Sequence, residues 1–163
     1  MRPFSETMFM QDREKLLTSF TTSIQPARRA WVVAATTVLS QYDLSMSLGS
    51  VVLLLHRYGG TAQQKILATE VGINAAAMVR VLDQGEAAGL LLRAGLQDNR
   101  RSKTVSLSEP GRALAKRVEK AIQALRAELL QNVSPGDIDT AVRVLRQLEA
   151  NALAYCAEEK ART

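Results

Sequence analysis

Apolar positions between residues 61 and 112 follow first a helical and then a strand period. Ile66 and Leu67 open a short helical pattern, Gly72 breaks it, and Asn74 is placed to cap a second helix running to about Gly89. Leu90–Leu92 then switch to a strand-like run. The polar loop Gln97-Asp98-Asn99-Arg100-Arg101-Ser102 follows, and Thr104–Leu107 alternate polar and apolar as a return strand. The order helix, turn, helix, strand, charged loop, strand predicts a winged helix: a helix-turn-helix followed by a β-hairpin with a basic tip, an architecture suited to duplex DNA.

The flanks are helical. Residues 1–10 read as a loose arm, followed by a helical pattern from about Asp12 to Gln41. Pro26 either kinks that helix or starts a new one with Ser23 nearby as a cap. Ser47–Tyr58 form a mostly apolar segment stopped by Gly59-Gly60. Val51–Leu55 alone would also suit a buried strand, but the segment's length and place favour a buried helix. After the hairpin, Ser108 can cap a long helix with Pro110 in its first turn. Its apolar stripe is Leu114, Val118, Ile122, Leu125 and Leu129. Asn132–Pro135 form a break, and Ser134 with Asp137 resembles a capping box. The last helix carries Ile138, Ala141, Val142, Leu145, Leu148 and Ala152 on one face. These apolar faces exceed what a small winged helix can cover, so a second subunit is expected against them.

Composition narrows the class. A chain of 163 residues fits one domain or one subunit of an intertwined oligomer. Apolar residues make up 47% and aromatics only 4%, which implies an aliphatic, alanine-rich helical core. One cysteine rules out an internal disulfide and suits a reducing cytoplasm. No run approaches the roughly 18 apolar residues of a membrane span, and MRPFSETMF lacks a signal-peptide core. The net charge of +5 says little alone. Its placement says more, because Arg93–Lys103 holds four basic residues against one acid. No catalytic constellation is visible. The single histidine excludes a paired-histidine metal site, and neither a cofactor nor an enzymatic activity is expected.

LATEVGI, MVRVLDQ-x-EAAGL and DNRRSKTVSLSEPGRAL resemble the MarR family of bacterial transcriptional regulators. The close match covers about residues 61–115, with the Asp-x-Arg-Arg hairpin its most specific part. The resemblance implies a mainly α fold with a small β-hairpin. Residues 47–107 would form the winged helix-turn-helix lobe, and 1–46 with 108–163 a helical dimerisation region. It implies a cytoplasmic bacterial homodimer, a repressor in the default sense, on a palindromic duplex, with half-sites about one turn, roughly 34 Å, apart.

The expected DNA-contacting residues are Asn74, Ala76, Ala77 and Arg80 of the recognition helix and Arg100, Arg101 and Lys103 of the wing. Ala75-Ala76-Ala77 departs from the family, where serine, threonine or glutamine is common; alanines offer methyl contacts to thymine but no hydrogen bonds. Asn74 suits a helix cap better than a base reader. Arg80 aligns with a recurrent family arginine, read either as a phosphate or guanine contact or as a salt bridge to Asp83 or neighbours on the Gln84 side of a solvated face. Arg100 holds the family position for entering the minor groove, with Asp98 orienting an arginine and Arg101 and Lys103 facing phosphates. Many relatives bind small aromatic or phenolic acids. Trp31, His56 and Arg57 are the candidate lining of such an effector pocket, although Trp31 also suits the core and His56 a structural or surface role. Cys156 is not expected to be a redox sensor. Gly85 falls on the core face where the family places leucine. A cavity, a softened helix and a neighbour filling the gap all stay open, and Gly85→Leu is expected to stabilise. A different class of function is a winged-helix protein-interaction or anti-repressor module with weak DNA binding.

Overall fold

In the computed structural model, the backbone is described for residues 4–96 and 99–162, and side chains for 11–94 and 103–162. The elements run α1 (Phe4–Ser40), α2 (Met46–Arg57), β1 (Thr61–Gln63), α3 (Gln64–Val71), α4 (Ala75–Ala87), β2 (Leu91–Leu96), β3 (Asn99–Leu107), α5 (Glu109–Leu129) and α6 (Pro135–Arg162). The chain forms two compact units, Met1–Leu125 and Arg126–Thr163.

The first unit has one aliphatic core with no buried polar side chain among the described residues. α2 supplies Leu48, Val51, Val52 and Leu55; α3 gives Leu67; α4 gives Met78 and Leu82; the sheet gives Leu91, Val105 and Leu107. Ala35 and Leu39 of α1 and Ala115, Val118 and Ile122 of α5 join the same cluster. The flanking helices and the lobe therefore share one core, as expected for a chain poor in aromatics and rich in small aliphatic side chains.

Local signals explain most boundaries. Ser45 caps α2, its Oγ accepting from the Leu48 N–H at 3.2 Å. Gly72 ends α3 in the left-handed region at φ 73°, which a residue with a Cβ adopts only under strain. Ser108 caps α5, accepting from the Gly111 N–H at 3.0 Å while its hydroxyl donates to the Gly89 carbonyl at 2.6 Å. Gly111 is required by a close approach: a Cβ there would collide with the Leu90 carbonyl oxygen and lie 3.0 Å from its carbon. Ser134 caps α6, accepting from the Asp137 N–H at 3.1 Å.

At three places the structure corrects or completes the sequence expectation. The first helix starts at Phe4, so much of the expected arm is helical. Pro26 lies inside this helix and does not start a new one; Ser23 Oγ donates to the Phe20 carbonyl at 2.7 Å and caps nothing. A third strand, β1, joins the hairpin in the order β1-β3-β2, pairing Thr61 with Ser106 and Gln63 with Thr104. Three residues are too short for an alternation pattern to register.

The second unit contains α6, none of whose described residues is buried within this chain. On its apolar stripe, Ile138 and Leu148 are half-buried, whereas Val142 and Leu145 are 40% and 45% exposed. Burial also falls along the α5 stripe, from fully buried Val118 to half-buried Leu125 and 53% exposed Leu129.

Candidate nucleic-acid interface

The turn between α3 and α4 presents the start of α4 to solvent. Asn74 is its N-cap, with Oδ1 accepting from the Ala77 N–H at 2.8 Å. That contact commits the oxygen to the helix. Ala75, Ala76 and Arg80 are exposed, Ala77 is half-buried, and Met78, Val81 and Leu82 point into the core. The helix thus offers solvent a methyl-lined first turn followed by a guanidinium. Among the described residues Arg80 makes no ion pair, because Asp83, its candidate partner in the sequence, is engaged by Arg93.

Arg93 stands on β2 and reaches back to α4. Its backbone N–H donates to Glu86 Oε1 at 3.1 Å, its Nε to Glu86 Oε2 at 2.8 Å, and its terminal nitrogen to Asp83 Oδ1 at 2.5 Å and also to Glu86 Oε2. Asp83 and Glu86 are three apart on one helix face, so a single planar fork meets both carboxylates. Hydrogen bonding to Arg93 holds the Glu86 carboxyl below the usual carboxylate range. The same contacts, Glu86 first and then Asp83, raise the Arg93 guanidinium. Arg93 belongs to the basic excess of the Arg93–Lys103 stretch, yet its charge is taken up by two acids. The signal was present as an acid and a base seven residues apart across the Gly89 turn.

The hairpin departs from regular pairing toward its tip. Arg93 pairs with Val105 and Gly95 with Lys103, yet Leu96 pairs with Asn99, so one step along β2 spans four along β3. Arg100, Arg101 and Ser102 form the surplus backbone of this irregularity, which sets their segment off from the ladder. The side chains of Arg100 and Arg101 lie outside the described residues, as does all of Asp98. Lys103 is exposed at the last regular pair.

Of the three effector-pocket candidates, His56 lines an open cavity, whereas Trp31 and Arg57 are not among the residues lining that cavity. Trp31 is half-buried against the core, and Arg57 lies 3.5 Å from Glu119 Oε2. His56 lines an open cavity of about 500 Å³ with Gly59, Gly60, Leu107, Glu109, Arg112, Ala113 and Lys116. Arg112 donates from Nη1 to the Leu107 carbonyl at 2.7 Å. Arg112 and Lys116 are exposed on α5, where the sequence does not set them apart from ordinary solvated charges. No group of metal-ligating side chains occurs among the described residues, and none of the described helices is long and apolar enough to cross a membrane.

No family model matches the sequence. Solved structures do resemble the fold. A transcriptional regulator, PA3341, is 28% identical with a TM-score of 0.75, over 82% of this chain and 97% of its own. A mutant MarR from E. coli complexed with operator DNA is 20% identical with a TM-score of 0.70, over 81% of this chain and 94% of its own. NadR in complex with 4-hydroxyphenylacetate is 19% identical with a TM-score of 0.70, over 79% of this chain and 91% of its own. With its capped α4, irregular basic hairpin and flanking long helices, the chain has the winged-helix fold of the MarR-family transcriptional regulators.

Proposed function

We propose that the chain is a transcriptional regulator, without enzymatic activity, that grips a palindromic DNA duplex as a homodimer and represses by occupying a promoter in the bacterial cytoplasm. The observation that carries this reading is the exposed start of α4, with Arg80 left without an ion pair among the described residues, beside the hairpin that bears Arg100, Arg101 and Lys103. Asn74, Ala76, Ala77 and Arg80 enter the major groove. Arg100 reaches the minor groove, with Asp98 orienting an arginine, and Arg101 and Lys103 meet phosphates. Residues 47–107 form the DNA-binding lobe, and 1–46 with 108–163 the dimerisation region. The exposed apolar stripe of α6 supports a second copy as its cover. The operator DNA held by E. coli MarR, which shares this fold, favours duplex DNA over a protein partner.

A small aromatic or phenolic acid is the proposed effector. The cavity at His56 supports it, since Arg112 and Lys116 stand beside apolar Leu107 and Ala113. NadR, of the same fold, holds such an acid. An effector of this kind releases DNA only by favouring a dimer whose lobes are wrongly spaced. Selection of duplexes from a randomised pool by the purified chain, followed by a gel shift, tests the proposal. A recovered palindrome supports it. A pool that stays unenriched, with a protein partner bound in its place, would support the interaction-module alternative.

A further inference from the structure

Arg93 is the one described side chain hydrogen-bonded to two carboxylates of α4 from a strand of the hairpin. β2 is an edge strand, and the Arg93 amide, which points away from β3, is taken by Glu86 Oε1 at 3.1 Å. One residue thus ties the backbone and the side chain of the wing's first strand to the last turns of the reading helix. Arg93, Asp83 and Glu86 are 28%, 55% and 33% exposed at their side chains. Ion pairs this exposed contribute little to overall stability. Their geometry does something else: it joins β2 to α4 across the Gly89 turn through one backbone and several side-chain contacts.

We infer that Arg93 is a positioning residue for DNA recognition, holding the wing at the angle at which Arg100 and the start of α4 enter adjacent grooves together. The inference rests on the duplex-binding reading. Arg93 acts through the wing rather than on a phosphate, with its Nε and Nη2 donating to Glu86 and Asp83.

The test uses the full chain and a duplex that the unmodified chain selects from a randomised pool. Arg93→Ala and Arg93→Lys should each weaken binding about tenfold, with the melting temperature and the salt slope nearly unchanged. Lysine fails because a point charge cannot reproduce the fork. In an Arg100→Ala background, Arg93→Ala should cost less than about twofold more, since a mispositioned wing without its arginine has little left to lose. Amide exchange supplies a reading independent of DNA: the Arg93 amide should be protected in the parent and exposed in Glu86→Ala. An unprotected amide in the parent overturns the clamp. A protected amide with losses that multiply, full rescue by lysine, or a salt slope flattened by about 0.9 unit overturns the positioning role alone. A parent that selects no duplex overturns the DNA reading and this inference with it.

Discussion

The side chain of Leu91 occupies the space that any side chain at Gly85 would need. A Cβ added at Gly85 would overlap Leu91 Cδ1 and lie 2.7 Å from Leu91 Cγ and 3.0 Å from Leu48 Cδ1. Both leucines are buried, at 1% and 5% exposure, so neither can swing into solvent. The missing side chain of α4 is supplied by β2, and no cavity lies beneath the glycine.

Gly85→Leu should therefore destabilise, by about 1–3 kcal/mol, as overpacked cores do. The sequence alone predicts the opposite sign, because the gain in helix propensity of about 1 kcal/mol over glycine adds to the filling of a void. Leu91→Ala alone should cost about 2–5 kcal/mol. The double variant Gly85→Leu with Leu91→Ala should recover part of that loss, because the volume returns from the other side. Thermal melts of the four proteins check this. A Gly85→Leu variant more stable than its parent would contradict the packing.

Gly85 also marks what the sequence could reveal. Its place on the core face was legible from the spacing of Met78, Val81 and Leu82, because helical period is a local property. What fills the gap was not, since Leu91 belongs to another element. The same division runs through the site. Asn74, Gly72 and Ser108 announce their caps within three residues, and all three caps form. Arg93 looked like free positive charge because its partners lie across a turn. β1 was invisible because three residues become a strand only through the ladder offered by β3.

The wing residues should separate by salt dependence. Arg100→Ala should weaken duplex binding more than any other single wing change, with little change in melting temperature. Arg101→Ala and Lys103→Ala should weaken binding on all sequences alike, and each lost phosphate contact should flatten the log–log salt slope by about 0.9 unit. Anisotropy titrations across a salt series measure both. An Arg100→Ala variant that binds like its parent would remove the wing from the mechanism.

Cys156 is exposed on α6, in the unit that excludes α4 and the hairpin. Peroxide should leave the DNA affinity of the parent and of Cys156→Ser alike. A loss of binding seen only with the cysteine present would assign it a sensing role.

Glu86 gives a pH dependence with a definite sign. Its folded pKa is lowered by Arg93, so its contribution is fully present above the unfolded carboxylate value of about 4.3 and is lost as pH falls through the lower folded value. Glu86→Gln should therefore be less stable than the parent at pH 7, by no more than about 1 kcal/mol for a solvent-accessible pair. The difference should close below about pH 4. Melting curves of both proteins between pH 3 and 7 test it, and a gap that widens in acid would assign the wrong sign.

Leu145 tests the proposed second copy. It lies 45% exposed on a helix with no buried described residue, so a charge there meets solvent in the isolated chain. If the stripe of α6 packs on a partner, Leu145→Glu places an unpaired carboxylate inside that interface, at a cost of about 3–5 kcal/mol, the range for a charge buried without its partner. The two cases predict different outcomes on dilution. Leu145→Glu should keep its helical circular dichroism yet dissociate at concentrations where the parent stays dimeric by light scattering. It should also lose DNA affinity, because a single lobe forfeits the second half-site. A parent that is itself a stable monomer, or a variant that remains a dimer of unchanged affinity, would leave the α6 stripe without a partner and the palindromic mechanism without its symmetry.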